Sequence, residues 1–304
     1  MPNDLKDFFV NPVERRLRSG WRLLLQTALI LVIGIGLAIL AVLIELLLPQ
    51  VHLGLLAGQM AELLAITGSI FIARRLFDRR SIASLGLRLG RSAIGDLLAG
   101  IGITFLMMGS IFTLEWATGW VSFEAFAWQV DPLPVVVGQT ALTLLVFVLV
   151  GWNEELLSRG YHLQTLASGI NLFWGVLLSS SIFGLLHLGN PNATWIGAVG
   201  VCLAGFFLAM GYLRTRQLWL PIGLHIGWNF FEGAVFGFPV SGLNTYRLLR
   251  ISVTGPVIWT GGAFGPEAGL VLLPGLLIGF GLLFAYTRGR LQDEDNLEKP
   301  IDII

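Results

Sequence analysis

Charge is scarce in this chain. Asp, Glu, Lys and Arg make up 12% of its 304 residues, where a soluble domain carries about a quarter. The 19 basic and 19 acidic residues cancel to a net charge of zero, so the chain lacks the basic surplus that a nucleic-acid partner requires. One cysteine, Cys202, excludes an internal disulfide framework and a cysteine-rich zinc site. No HExxH pair, Gly-rich phosphate loop, internal repeat or low-complexity tract occurs.

Hydrophobic residues, at 55%, fill the space that charge leaves. About 20 apolar residues cross a bilayer core as a helix, and eight stretches qualify: 23–44, 51–73, 97–114, 134–152, 172–188, 194–213, 221–238 and 268–286. The expected fold class is therefore all-α, a polytopic integral membrane protein of about eight transmembrane helices. The first apolar run is too long for a cleavable signal and reads as an anchor. Of the 19 Lys and Arg residues, all but Arg247 and Arg250 fall on one side of an eight-span arrangement. The positive-inside rule then puts both termini in the cytoplasm, in a multi-pass protein of the cell membrane. Trp116, Trp120 and Trp128 lie near the outer ends of spans three and four, where indole rings favour the interface. The polar tail "RLQDEDNLEKPIDII" reads as disordered.

Ionisable groups inside such spans are costly and start as functional candidates: Glu45, Glu62, Glu154, Glu155, His187, His225 and Glu232, with Asn229 beside them. Glu45 is close enough to its span end to reach the interface. Glu62, one turn after Gln59, lines a cavity or bonds another helix. Glu155 and Arg159 stand at i and i+4 in the favourable order for a helical ion pair. Glu154 is rotated by about 100° and lacks that partner, which leaves it free to act as a base in a buried setting. The bland alternative is that both acids mark the end of span four. His225 and Asn229, also at i and i+4, can bind a metal or donate to a developing oxyanion. Glu232 reads as structural.

A hairpin of spans four and five, turning at "SGIN", joins two of these groups. Glu155 and His187 lie equidistant from Asn171, so an antiparallel pair of helices brings Glu154 or Glu155 level with His187. For His225 to share that level, "YHLQTLASGIN" must continue as helix beyond the bilayer. "LGNPNAT" is then an irregular segment held against protein or a wet cavity.

Three motifs now stand in order: "EELLSR" (Glu154 to Arg159), "FGLLH" (Phe183 to His187) and "HIGWN" (His225 to Asn229). They resemble the EExxxR, FxxxH and HxxxN signatures of the CAAX protease and bacteriocin-processing family of intramembrane endopeptidases, over roughly residues 80–238. "RRSIASLGLRLG" before span three and "TGGAFGPEAGL" before the last span are similar to segments of bacterial members. The latter loop is not read as a site, since turn geometry accounts for its glycines. The resemblance implies that Glu154 and His187 activate the attacking water and that His225 and Asn229 stabilise the oxyanion. Glu155, Arg159 and Phe183 support the site. It also leaves open a single divalent metal, zinc through Glu154, His187 and His225, against a metal-free reaction, which is the reading favoured.

The expected organisation is a cytoplasmic segment (1–22), two helices with a basic loop (23–92), a catalytic core (93–238), an extracytoplasmic loop (239–267), a last helix (268–287) and a cytoplasmic tail (288–304). The expected partners are the lipid bilayer and a membrane-associated peptide or protein substrate, with no nucleic acid. The alternative is a non-catalytic membrane scaffold or immunity-type protein on the same fold. A transporter is less favoured, because no inverted repeat accompanies the buried acids.

Overall fold

The computed structural model describes residues 4–48, 50 and 55–289. The polar tail, with Arg290 and Lys299, lies outside the described residues, as does the start of the second span at 51–54. Eight principal helices follow one another: α1 (Ser19–Leu47), α2 (Leu55–Leu76), α3 (Arg91–Ala117), α4 (Leu133–Glu155), α5 (Leu172–Leu186), α6 (Trp195–Thr215), α7 (Trp219–Asn229) and α8 (Leu272–Thr287). The fold is all-α and polytopic. Six helices are long and apolar enough to cross a membrane among the described residues. The two remaining expected spans are shorter. α7 runs on only through a π-helical turn, Phe230–Val235, and α8 has 16 residues.

Helix surroundings follow composition. α1 buries only Arg22 and Gln26 and turns its aliphatic residues outward, as a lipid-facing helix does. α7 buries every residue except Trp219, the pattern of a helix enclosed on all sides. It sits between two parts of the core. Leu220, Leu224 and Trp228 pack with Met107 and Ile111 of α3, Phe207 of α6 and Leu276 of α8. Ile222 and Ile226 pack with Ile66 and Ile70 of α2 and Leu156 beyond α4.

α3 and α7 approach closely, and glycine permits it. A Cβ on Gly223 or Gly227 would collide with the backbone of Leu97 or with Thr104 and Ile101, and one on Gly100 would meet the backbone of Leu224. Gly223 and Gly227 have the GxxxG spacing that lets membrane helices approach closely. His225 lies two residues from each glycine, about 200° around the helix. The glycine seam fixed on α3 therefore aims His225 and Asn229 the opposite way.

α4 does not stop at its expected end. It continues through π-helical turns, Leu156–Leu163, and then Gln164–Gly169. The resulting run of 37 residues is about 55 Å long, more than a bilayer core needs, so the helical extension expected for "YHLQTLASGIN" is present. It is held by a buried polar network. Arg22 of α1 pairs with Asp78 at 2.6 Å and donates to Ser168 at 2.8 Å. Arg74 of α2 pairs with the same carboxylate at 3.2 Å and donates to Gln164 at 2.9 Å. Asn171 then caps α5 by accepting from the Trp174 amide at 3.0 Å. At the opposite end of the molecule β1 (Val121–Phe126) pairs antiparallel with β2 (Leu249–Val253). Arg250 and Asp131 form an ion pair of 2.7 Å beside that ribbon.

Candidate active site

α4, α5 and α7 bring the three motifs together. Glu155 and Arg159 form the expected pair, 2.7 Å apart, with side chains 0% and 1% exposed. The Arg159 guanidinium also donates to the Gly205 carbonyl at 2.9 Å and lies 4.4 Å over the Phe183 ring. The π-helical turns start at the residue after Glu155; such turns are rare inside α-helices and recur at functional sites.

The pair does more than hold the helix. The same Glu155 oxygen, Oε1, lies 2.8 Å from His225 Nδ1. A carboxylate accepts, so the proton of a neutral His225 sits on Nδ1 and its Nε2 faces outward with a lone pair. His187 is fixed the same way: its Nδ1 donates to the Phe183 carbonyl at 2.8 Å, and its Nε2 is free. Both Nε2 atoms converge on one oxygen. Glu154 Oε2 is 3.8 Å from His187 Nε2 and 3.7 Å from His225 Nε2. Phe183 packs its ring 4.8 Å from the His187 ring and 6.0 Å from that of His225. It thus spaces the two imidazoles as well as supporting Arg159.

Asn229, one turn after His225, is buried and lines a small cavity of about 30 Å³ together with His187, His225 and Phe183. The rest of its wall is apolar residues of α6 and α7, including Phe207 and Trp228, plus two polar residues, Ser241 and Glu267. Neither of these polar residues was expected. Glu267 belongs to "TGGAFGPEAGL", read from sequence as turn geometry alone. The loop folds back, its carboxylate accepting from the Ser241 amide at 3.1 Å and the Ser241 hydroxyl at 2.9 Å. Its acidic residue among glycines was the only local signal. The remaining candidates do not line this cavity. Glu62 accepts from Gln59 at 3.4 Å on α2, and Glu45 is near the end of α1. Glu232 is fully buried in the π-turn after α7, against Glu267.

Among the described residues, no group of three or more His, Cys, Asp and Glu side chains is arranged to hold a metal.

Residues 136–231 match the family described as "Type II CAAX prenyl endopeptidase Rce1-like". The match is less than half of the chain, but it runs from α4 to the turn after α7 and contains all three motifs. The resemblance they carry is borne out over that stretch. The chain is also 28% identical over 135 residues to "Putative membrane peptidase YdiL" of Bacillus subtilis strain 168. The aligned part is 44% of this chain and 52% of the relative, so the chain spans about half the length of the curated relative it matches. At family level both comparisons point to a membrane protease.

Proposed function

We propose that the protein is an intramembrane endopeptidase that hydrolyses a peptide bond of a membrane-associated peptide or protein. The observation that carries this reading is the approach of the Glu154 carboxylate to two imidazole Nε2 atoms whose Nδ1 protons are already committed. A separation of 3.8 Å is beyond a hydrogen bond and lets one water touch both Glu154 and His187. That water donates one proton towards each acceptor and turns its lone pair to the scissile carbonyl carbon. Glu154 takes the proton as the C–O bond forms. The oxyanion that develops accepts from the Asn229 amide and from His225 Nε2–H. For His225 to donate there, both of its nitrogens must carry protons; Glu155 on one side and Glu154 on the other supply the counter-charge. Collapse of the intermediate breaks the C–N bond. The proton taken from water passes to the leaving amine, giving a carboxylic acid and an amine.

Glu155 and Arg159 hold His225 in place rather than reacting. The clustering of Lys and Arg supports an orientation with both termini in the cytoplasm. The test is turnover of a membrane-tethered reporter peptide by reconstituted protein. Glu154→Ala abolishes cleavage while leaving yield and thermal stability unchanged, since the Glu154 side chain is 28% exposed and holds no helix in place. Undiminished turnover in that variant overturns the role of Glu154, whereas absence of turnover by the wild type favours a non-catalytic scaffold.

A further inference from the structure

α5 ends at Leu186, beside the site, whereas α4 begins at Leu133, 21 residues before Glu154. The stretch of α4 above Glu154 is thus about 30 Å long, and α5 does not cover it: α5 packs instead on the helical extension, residues 156–169, and on α6. Glu154 and His187 stand where the two arms of the hairpin part. The other direction is closed. Residues 155–167 are buried except for Leu157 and His162, which are half-buried, and Gly169 at the hairpin tip lies against Ser19 at the start of α1. The Glu154 and His187 side chains nevertheless stay 28% and 14% exposed. The opening of the site lies along α4, away from the tip.

Polar residues mark that route. Gln139, Thr140 and Thr143 fall within about 60° of Glu154 around α4, some three to four turns above it. α2 runs beside α4 in the same direction: the Trp152 indole donates to Thr67 at 3.0 Å, and Ile66 and Ile70 pack with Leu156. Glu62, five residues before Thr67, is therefore about 10 Å above the level of Glu154, and it is within electrostatic reach of that carboxylate. Glu62 is exposed and accepts a long hydrogen bond from Gln59 at 3.4 Å. Gln59 Oε1 is buried without a donor. The opposite face of the same helix pair is an apolar cleft, where Leu63 and Leu64 meet Val148 and Leu149, as lipid contact requires. The polar groups gather on the side that leads to Glu154. An acid exposed at bilayer depth is costly against lipid and is tolerated in a water-filled cavity.

We propose that Gln59, Glu62 and the Gln139–Thr143 face of α4 line a water-filled groove. Through it the site draws water and receives an extended substrate segment from the side of the membrane away from the hairpin tip. Glu62 is the group that holds water part-way down. The use of that water as reactant rests on the peptidase reading; the groove itself does not.

Thiol labelling tests the groove. Glu62→Cys, Gln139→Cys and Thr143→Cys are made singly in the full-length Cys202→Ala protein. Leu64→Cys and Leu145→Cys serve as controls, since both leucines are exposed and lie on the far faces of α2 and α4. A charged, membrane-impermeant methanethiosulfonate is applied to one side of oriented vesicles and then to the other. The thiolate is the reacting form and needs water, so the groove positions are modified at least about tenfold faster than the controls, and faster from the side away from the tip. Equal rates at groove and control positions overturn the groove, and faster modification from the tip side overturns its direction. Three positions report independently, so one variant that fails to fold does not remove the test. Turnover of the tethered reporter tests the use of the water. Glu62→Leu lowers it severalfold and Glu62→Gln, which keeps a polar group, lowers it less, with melting temperatures unchanged. Full turnover by Glu62→Leu overturns the role of Glu62. The expected labelling pattern with no turnover by the wild type defeats the peptidase reading and leaves the groove standing.

Discussion

Glu155 Oε1 stands 2.7 Å from Arg159 Nη1 and 2.8 Å from His225 Nδ1, so one carboxylate oxygen joins the first motif to the third. The carboxylate balances a buried guanidinium and sets which nitrogen of His225 carries a proton. Removing it has two separable costs. Glu155→Ala leaves Arg159 buried without its counter-ion, and breaking such a pair costs about 3–5 kcal/mol. The expected outcome is a large fall in melting temperature in detergent. Glu155→Gln keeps an acceptor oxygen of the same size but not the charge. It retains more of the fold, yet loses turnover because protonated His225 has lost its adjacent counter-charge. Equal stability of the two variants would contradict the first half of this account; full activity of the glutamine variant, the second.

Asn229 separates oxyanion stabilisation from packing. Its side chain lines the cavity one turn from His225. Asn229→Ala should lower kcat by about 10²–10³, the loss typical of one oxyanion donor, with KM nearly unchanged. Asn229→Asp should be no better, because a carboxylate repels the charge that develops. A fall expressed entirely in KM would assign Asn229 to substrate binding instead.

How much of this was legible in the sequence follows from the range of each interaction. Glu155–Arg159 and His225–Asn229 are one-turn relations, and 3.6-residue periodicity reveals them directly. The approach of Glu154 to His187 came from counting outward from "SGIN", a step that works because α4 and α5 form a single hairpin. The bond from Glu155 to His225 depends on how α4 crosses α7, which α3 settles through Gly100, Gly223 and Gly227; no local pattern encodes it. Glu267 was hidden for another reason. Its loop is rich in glycine, a sufficient cause for its turns, and the Ser241 hydrogen bonds that hold its carboxylate beside the cavity join residues 26 apart in sequence. Span count shows the same limit. Six helices have the full length, but α7 is encased by other helices and can be short and polar, so hydropathy alone marks it poorly.

Metal dependence gives a direct check on the water-based mechanism. With no three-residue ligand set among the described residues, purified protein should retain its turnover after prolonged exposure to EDTA and 1,10-phenanthroline. Elemental analysis of active protein should find well under one zinc per chain. Loss of activity restored by stoichiometric zinc would instead support the ligand set Glu154, His187 and His225, and would require the side chains to close on the ion.

The position of His187 depends on a close helix contact. Gly184 of α5 faces α6 so tightly that a Cβ there would stand 2.9 Å from the Cys202 amide nitrogen and nearer still to Cys202 Sγ and the Ala198 carbonyl. Two of those three obstacles are backbone, which cannot rotate away, so Gly184→Ala must push α5 off α6. Overpacking of this kind costs about 1–3 kcal/mol. His187, three residues on at the end of α5, moves with the helix and away from Glu154. Turnover should therefore drop at least about tenfold, by analogy with other small displacements of reacting groups. Adding Cys202→Ala removes the sulfur but not the carbonyl, so the double variant stays impaired. Gly102→Ala, where a Cβ meets nothing within 4 Å, should leave turnover unchanged and can raise stability by removing backbone entropy from a helix. If both glycine variants behave alike, the α5–α6 contact does not position His187.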